Sequence, residues 1–151
     1  MNVIVRLILG ALLILVLAAC SGSDPVSALE PRTDPFPLRG TYSWTFDIPS
    51  YGTQVSTNIF SADQVEYDMA GPAYATHYVI HLESYDTSEG RWIGHTGNEI
   101  YYVMFFEALT DTSVSIYKHK CGSRDEAYTF KRPGPDETAD HGWNTYLKME
   151  E

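Results

Sequence analysis

Five histidines, at positions 77, 81, 95, 119 and 141, are the residues of this chain whose type suits metal binding. Zinc takes imidazole, thiolate and carboxylate ligands at about 2 Å. His77 and His81 lie four residues apart in a segment with strand-like alternation, where a rise of about 3.3 Å per residue separates them by roughly 13 Å. They cannot share one ion, so a site needs another strand that brings a further ligand alongside. We therefore expect no metal and no cofactor, and a zinc-binding protein stays as an alternative.

Asp140 and His141, taken with Ser113 or Ser115, supply the residue types of a hydrolytic triad. A triad is defined by its geometry, however, and no nucleophile motif accompanies these residues. The two Gly-Pro pairs, at 71–72 and 134–135, are typical of turns and lack the spacing of a phosphate-binding loop. We expect that the protein is not an enzyme.

Aromatic side chains are the remaining candidates for function, because they recur at every second residue of strand-like segments. The candidate ligand-binding residues are Tyr42, Trp44, Tyr67, Tyr78 and Tyr102. If their side chains point into a barrel, they would line a pocket for a small hydrophobic or aromatic molecule. The alternative is that they only fill the interior, since aromatic residues are favoured in strands and small barrels are packed with side chains.

Alternation with a period of two dominates the chain after residue 39, which predicts short antiparallel strands. The predicted strands cover residues 41–48, 55–59, 65–69, 74–85, 91–94, 100–107, 113–120 and 127–132. Eight strands that close on themselves leave no exposed edge, so we predict an all-β fold, a small up-and-down barrel. Trp143 and Tyr146 follow the last predicted strand, and they either plug one end of the barrel or form an exposed patch.

The start of the first strand, Gly40-Thr41-Tyr42, resembles the Gly-x-Trp that opens the barrel of lipocalins and the wider calycin group. The order of the segments 58–67 (NIFSADQVEY), 102–106 (YVMFF) and 109–114 (LTDTSV) is also similar to small bacterial lipocalin-like lipoproteins. This resemblance implies a lipocalin-like barrel that binds a small hydrophobic ligand.

The N-terminal residues indicate export. Residues 3–19 are apolar apart from Arg6, as in a secretory signal peptide, and Leu17-Ala18-Ala19-Cys20 resembles the lipobox of bacterial lipoproteins. We expect a signal peptide over 1–19, a lipid on Cys20 within a flexible tether over 20–38, a barrel domain over 39–147 and a tail over 148–151. Ser21 after the cysteine implies, by the same resemblance, the outer membrane facing the periplasm. The alternative is a plain membrane anchor.

The net charge of −10 makes nucleic acid a poor partner. Two acidic segments, 86–89 and 136–140, suit a basic protein partner, so an envelope interaction module of the inhibitor or immunity type is the alternative to a ligand carrier. With Cys20 lipidated, no second cysteine of the chain remains to form a disulfide with Cys121. We interpret it as a structural cysteine, although an intermolecular bridge or a reactive thiol remain alternatives.

Overall fold

A closed eight-stranded barrel forms most of the computed structural model, which describes residues 36–138 and 142–150. The elements are β1 (Gly40–Ile48), β2 (Gly52–Phe60), β3 (Gln64–Ala70), β4 (Thr76–Asp86), β5 (Arg91–His95), β6 (Tyr101–Glu107), β7 (Ser113–Cys121), α1 (Arg124–Thr129) and β8 (Asn144–Lys148). Each strand pairs antiparallel with the next, and β8 pairs with β1. The predicted all-β, up-and-down barrel is therefore confirmed. Within the described residues, no helix has the length and apolar character needed to cross a membrane.

Several predictions fall outside the described residues. These are the signal peptide over 1–19, the lipid on Cys20, the tether up to residue 35, and the triad residues Asp140 and His141. Phe36 and Leu38, which the sequence analysis placed at the end of the tether, lie in the core with 3% and 2% of their surface exposed. The packed chain thus starts before residue 39.

The predicted last strand over 127–132 is wrong, because the chain forms helix α1 there. Ser123 caps this helix, its side chain accepting a hydrogen bond from the backbone N–H of Glu126 at 3.1 Å. Ser-x-x-Glu is the capping-box pattern, and a six-residue helix is too short to show a period of its own. The strand that closes the barrel is β8 instead.

One end of the barrel is filled by aromatic rings, and we call it the closed end. Phe36 lies at its centre, with ring centroids 4.8 Å from Tyr85, 5.2 Å from Phe106 and 5.8 Å from Phe60. Arg39 holds this entry segment, since Nη1 donates to the carbonyl oxygens of residues 36 and 38 and, at 3.1 Å, to that of Ser61. The segment that precedes β1 therefore closes one end of the barrel.

A second core lies outside the barrel wall, beneath α1. The buried outward-facing residues of β5, β6 and β7 contact Ala127 of the helix and the rings of Phe130 and Trp143. This explains why β6 is apolar on both faces, as the sequence predicted for a well-covered strand. Of the two late aromatic residues, Tyr146 points into the barrel and Trp143 packs on its outside against Tyr117.

The seam between β1 and β8 is short. Among the described residues these strands pair only at Tyr42 with Lys148 and at Ser43 with Leu147, whereas β6 and β7 pair over seven positions. Both pairs lie in the half of β1 nearest the closed end. The other half of β1, beyond residue 43, faces β8 without joining it in the ladder.

Strand β2 does not bury the alternate apolar residues Val55 and Ile59. Val55 and Ile59 are each 36% exposed, while Gln54, Ser56 and Asn58 point inward and are buried. A buried polar side chain is costly unless it finds partners. Ser56 has one, because its Oγ lies 3.1 Å from Tyr146 Oη. The interior of this barrel is thus polar along one strand.

Candidate functional site

Lys118 contacts Tyr67 and Tyr78 inside the barrel, toward the end opposite Phe36. Tyr102 stacks on Tyr78, and Tyr146 lines the same cavity as Lys118. We call this group, Tyr67, Tyr78, Tyr102 and Tyr146 with Lys118, the tyrosine cage. It brings together inward-facing positions of β3, β4, β6, β7 and β8. The ring centroids of Tyr67 and Tyr78 are 4.8 Å apart, and those of Tyr78 and Tyr102 are stacked at 5.4 Å.

Lys118 Nζ lies deep among these rings. It is 3.0 Å from the ring centroid of Tyr67 and donates a hydrogen bond of 3.1 Å to Tyr78 Oη. A cation over an aromatic face is attracted by the negative charge of that face. Among the ion pairs of the described residues, none includes Lys118. In the part of the chain that the structure describes, its charge is therefore met by ring faces and a hydroxyl rather than by a carboxylate.

Burial shifts the pKa values of all five residues of the cage. It lowers the pKa of Lys118 from 10.5 to about 7, because the charged ammonium loses its hydration. It raises the pKa of Tyr67 to about 12 and also raises the pKa values of Tyr78, Tyr102 and Tyr146. The four hydroxyls are thus protonated at neutral pH, so each can donate a hydrogen bond.

A small cavity adjoins Lys118 and opens at this end of the barrel, which we call the mouth. Its volume is about 40 Å³, enough for two or three waters at roughly 10–15 Å³ each. Typical ligand pockets have about 300–1,000 Å³. The cavity walls include Trp44, Phe46, Met69, Ile116 and Asn144. The cavity therefore admits a polar group next to Lys118 but not the body of a ligand.

Larger concave regions lie outside the barrel. A groove of about 680 Å³ separates the β4–β5 turn from residues 129–132, and another of about 340 Å³ borders Phe36 at the closed end. The first is lined by Glu89, Arg91 and Arg132, and these charges are engaged locally: Arg91 pairs with Glu89 at 3.2 Å, and Arg132 pairs with Glu107 at 2.9 Å. Neither groove brings together groups that suit catalysis.

The five predicted ligand-binding residues all have inward positions, but they do not form one group. Tyr67, Tyr78 and Tyr102 belong to the tyrosine cage. Trp44 stands at the mouth, stacked on Phe46 with ring centroids 4.2 Å apart. Tyr42 lies toward the closed end, 5.7 Å from the ring of Phe60. Ligand binding by these five stays a prediction. Trp44, Tyr67, Tyr78 and Tyr102 lie at or near the Lys118 end of the barrel, whereas Tyr42 does not.

The four histidines within the described residues lie on the outer side of the barrel wall, on β4, β5 and β7. His81 and His95 face each other across β4 and β5 with ring centroids 6.3 Å apart, so a second strand does bring a partner to His81. His77 forms a hydrogen bond of 2.8 Å with Asp68 on β3. His119 lies near Cys121 and Glu126, which the sequence analysis did not combine with it. Cys121 is buried and forms no disulfide within the described residues.

Sequence reasoning missed Lys118, the central residue of the cage. The signal was present, because Val114, Ile116 and Lys118 occupy alternate positions of one strand and two of them are apolar core residues. A lysine that continues an apolar face points the same way as its neighbours. Tyr146 was missed as a cage member because the strand that carries it was placed at 127–132.

No family profile matches this chain, and neither a curated protein nor a solved structure shows significant similarity to it. The likeness to lipocalins is therefore one of topology, since the closed eight-stranded antiparallel barrel is consistent with a lipocalin-like fold.

Proposed function

We propose that this protein is a non-enzymatic binding protein of the cell envelope, held to the outer membrane by a lipid on Cys20, whose barrel binds a small amphipathic anion at the tyrosine cage. The observation that carries the proposal is the ammonium of Lys118, which lies 3.0 Å from the ring centroid of Tyr67, donates a hydrogen bond to Tyr78 Oη and has no carboxylate partner among the described residues.

The chemistry of the cage favours an anion. Burying an ammonium is costly unless an opposite charge or hydrogen-bond acceptors compensate for the lost hydration. A carboxylate placed in the adjoining cavity would pair with Lys118 and accept hydrogen bonds from the protonated tyrosines. Because hydrogen bonds to charged groups contribute about 1.5–3 kcal/mol, such a contact selects strongly for the charged form of a ligand.

The shape of the mouth favours an amphipathic ligand. The cavity of about 40 Å³ accommodates a head group only, so the rest of the molecule must lie at the rim. There the stacked rings of Trp44 and Phe46 and the side chain of Met69 offer an apolar surface. We therefore expect a ligand that carries an acidic group at one end, rather than a fully enclosed hydrophobic molecule.

The competing function is a protein-interaction module, and the small volume of the cavity favours it. The acidic loops of this protein are less suited to a basic partner than the sequence indicated. Asp86 is occupied within its own turn, where Oδ1 accepts hydrogen bonds from the N–H and the hydroxyl of Ser88, and Glu89 pairs with Arg91. The second acidic segment, 136–140, lies partly outside the described residues.

The test compares two ligands that differ only in charge, 4-phenylbutyrate and its neutral amide, with the full chain in detergent. Binding is measured by isothermal titration calorimetry for the wild type, for Lys118→Met and for Lys148→Met. Lys148 is the matched control, an exposed lysine at the closed end. We expect the wild type and the control to bind the carboxylate at least about tenfold more tightly than the amide, the fold-change given by about 1.4 kcal/mol.

The substitution at Lys118 should abolish this preference. Equal binding of the two compounds by the wild type, or a preference that survives in Lys118→Met, overturns the proposed site. Native mass spectrometry of the gently purified full chain adds an independent readout, because a small-molecule mass excess supports a carrier. A bare mass together with no binding of either compound would favour the protein-interaction module.

A further inference from the structure

A second cluster of chemically reactive side chains lies on the outside of the barrel, where the end of β7 meets α1. His119 and Cys121 are two residues apart on β7, so their side chains leave the strand on the same side. Glu126 reaches them from the first turn of α1. The imidazole nitrogen, the thiol sulfur and the carboxylate oxygen all lie within 4.8 Å of one another.

The positions of the cluster members are fixed by contacts with their surroundings. Glu126 Oε2 accepts a hydrogen bond of 2.6 Å from the backbone N–H of Gly122, and its other oxygen lies 3.5 Å from His119 Nε2. The ring of His119 stacks on Phe130 with centroids 4.2 Å apart. Metal ligands in proteins are usually oriented in this way by neighbouring groups.

We propose that His119, Cys121 and Glu126 form a binding site for Zn²⁺, with water as the fourth ligand. Bond lengths of about 2.0–2.3 Å place tetrahedral ligands about 3.3–3.8 Å apart. The separation of 3.5 Å between His119 Nε2 and a Glu126 oxygen already lies in this range, and no separation has to shorten by more than about 1.5 Å. Thiolate with imidazole selects zinc over calcium or magnesium, which prefer oxygen ligands. The metal enters from the side of Glu126, which is exposed, and the thiol releases its proton to solvent on binding.

The other cluster of potential ligands on the described surface serves as an internal comparison. Glu66, Asp68 and His77 also place three ligand atoms within 4.8 Å, but they include no sulfur. Asp68 and His77 are cross-strand neighbours joined by a hydrogen bond of 2.8 Å. This cluster is a surface ion pair of a kind common on sheets, and a substitution there controls for weak binding at exposed carboxylates.

The experiment titrates the full chain in detergent with Co²⁺ as a spectroscopic substitute for Zn²⁺. A thiolate-to-cobalt charge-transfer band in the near ultraviolet reports sulfur ligation directly, and displacement of the cobalt then gives the Zn²⁺ affinity. We expect the band in the wild type and in His77→Ala, and its loss in Cys121→Ser. Glu126→Gln, which keeps an oxygen acceptor for Gly122, should weaken Zn²⁺ binding by more than the roughly 10–100-fold known for the loss of an outer-sphere partner.

Three results would overturn the proposal. They are the absence of a charge-transfer band at saturating Co²⁺, a band that persists in Cys121→Ser, and a Zn²⁺ affinity that falls in His77→Ala but not in Glu126→Gln. Far-ultraviolet circular dichroism of each variant separates loss of the site from loss of the fold. The outcome is independent of the anion site, because these three side chains lie outside the barrel wall.

Discussion

The stability of the barrel should rise with pH above neutrality because of Lys118. Its pKa is 10.5 when exposed and about 7 in the folded protein, so between these values the unfolded chain binds one more proton than the native state. The free energy of unfolding then increases with pH by up to about 1.4 kcal/mol per pH unit. Over the whole interval the gain is at most about 5 kcal/mol, a large part of the 5–15 kcal/mol typical of a domain.

Above pH 10 the free energy of unfolding should decrease as the pH rises. The cage tyrosines that face Lys118 have raised pKa values in the folded state, so they lose protons more readily when the chain is unfolded. Their ionisation favours unfolding, and stability should fall again. The interval from pH 7 to pH 9 therefore isolates the lysine, where about 2 kcal/mol of the gain is expected because the group is already half deprotonated at pH 7.

The assay is urea unfolding of the wild type, Lys118→Met and Lys120→Met at pH 7 and at pH 9. Lys120 is an exposed lysine two residues further along the same strand and serves as the matched control. The wild type and the control should each gain about 2 kcal/mol relative to Lys118→Met over this interval. Parallel changes in all three proteins would refute the reasoning, since they would show that the Lys118 ammonium is not desolvated.

Three further predictions concern the fold. Phe36→Ala should lower the free energy of unfolding in urea by about 3–5 kcal/mol, because it leaves a cavity at the closed end; a loss below about 1 kcal/mol would mean that the entry segment does not pack there. Ser123→Ala should cost about 1 kcal/mol by removing the cap of α1, and Ser123→Asp should restore it in the same assay. Gly94→Ala should destabilise the protein by roughly 1–3 kcal/mol, because a Cβ there collides with the carbonyl oxygen of His81. Gly97→Ala is the control: a Cβ there meets nothing within 4 Å, so the thermal midpoint should not change.

Most of the barrel could be predicted from the sequence because the period-two pattern is strong. Seven of the eight predicted strands occur. The pattern failed in two places. At 127–132 the capped helix takes the place of a strand, since Ser123 and Glu126 supply local hydrogen bonds. In β2, Val55 and Ile59 point outward, while Ser56 points inward and its Oγ lies 3.1 Å from Tyr146 Oη.

The candidate site was only partly predictable for the same physical reasons. The tyrosines at 67, 78 and 102 follow from alternation, which places them on the inner face of any barrel. Their contact with Lys118 depends on the register of β7 against its neighbours, which only the closed sheet defines. The cluster of His119, Cys121 and Glu126 depends on α1, so no argument from strands could find it.

The pairing of β1 with β8 is the shortest in the barrel among the described residues. Trp44 and Phe46 on one edge and Asn144 on the other border the cavity. Among the described residues these edges are not joined by the β1–β8 ladder, which covers only Tyr42 and Ser43 of β1. Separation of these edges would leave the other seven strand pairings in place, so we expect the wall to open here before it opens elsewhere. In amide hydrogen exchange, the backbone of residues 44–48 should accordingly open far more often than that of β6.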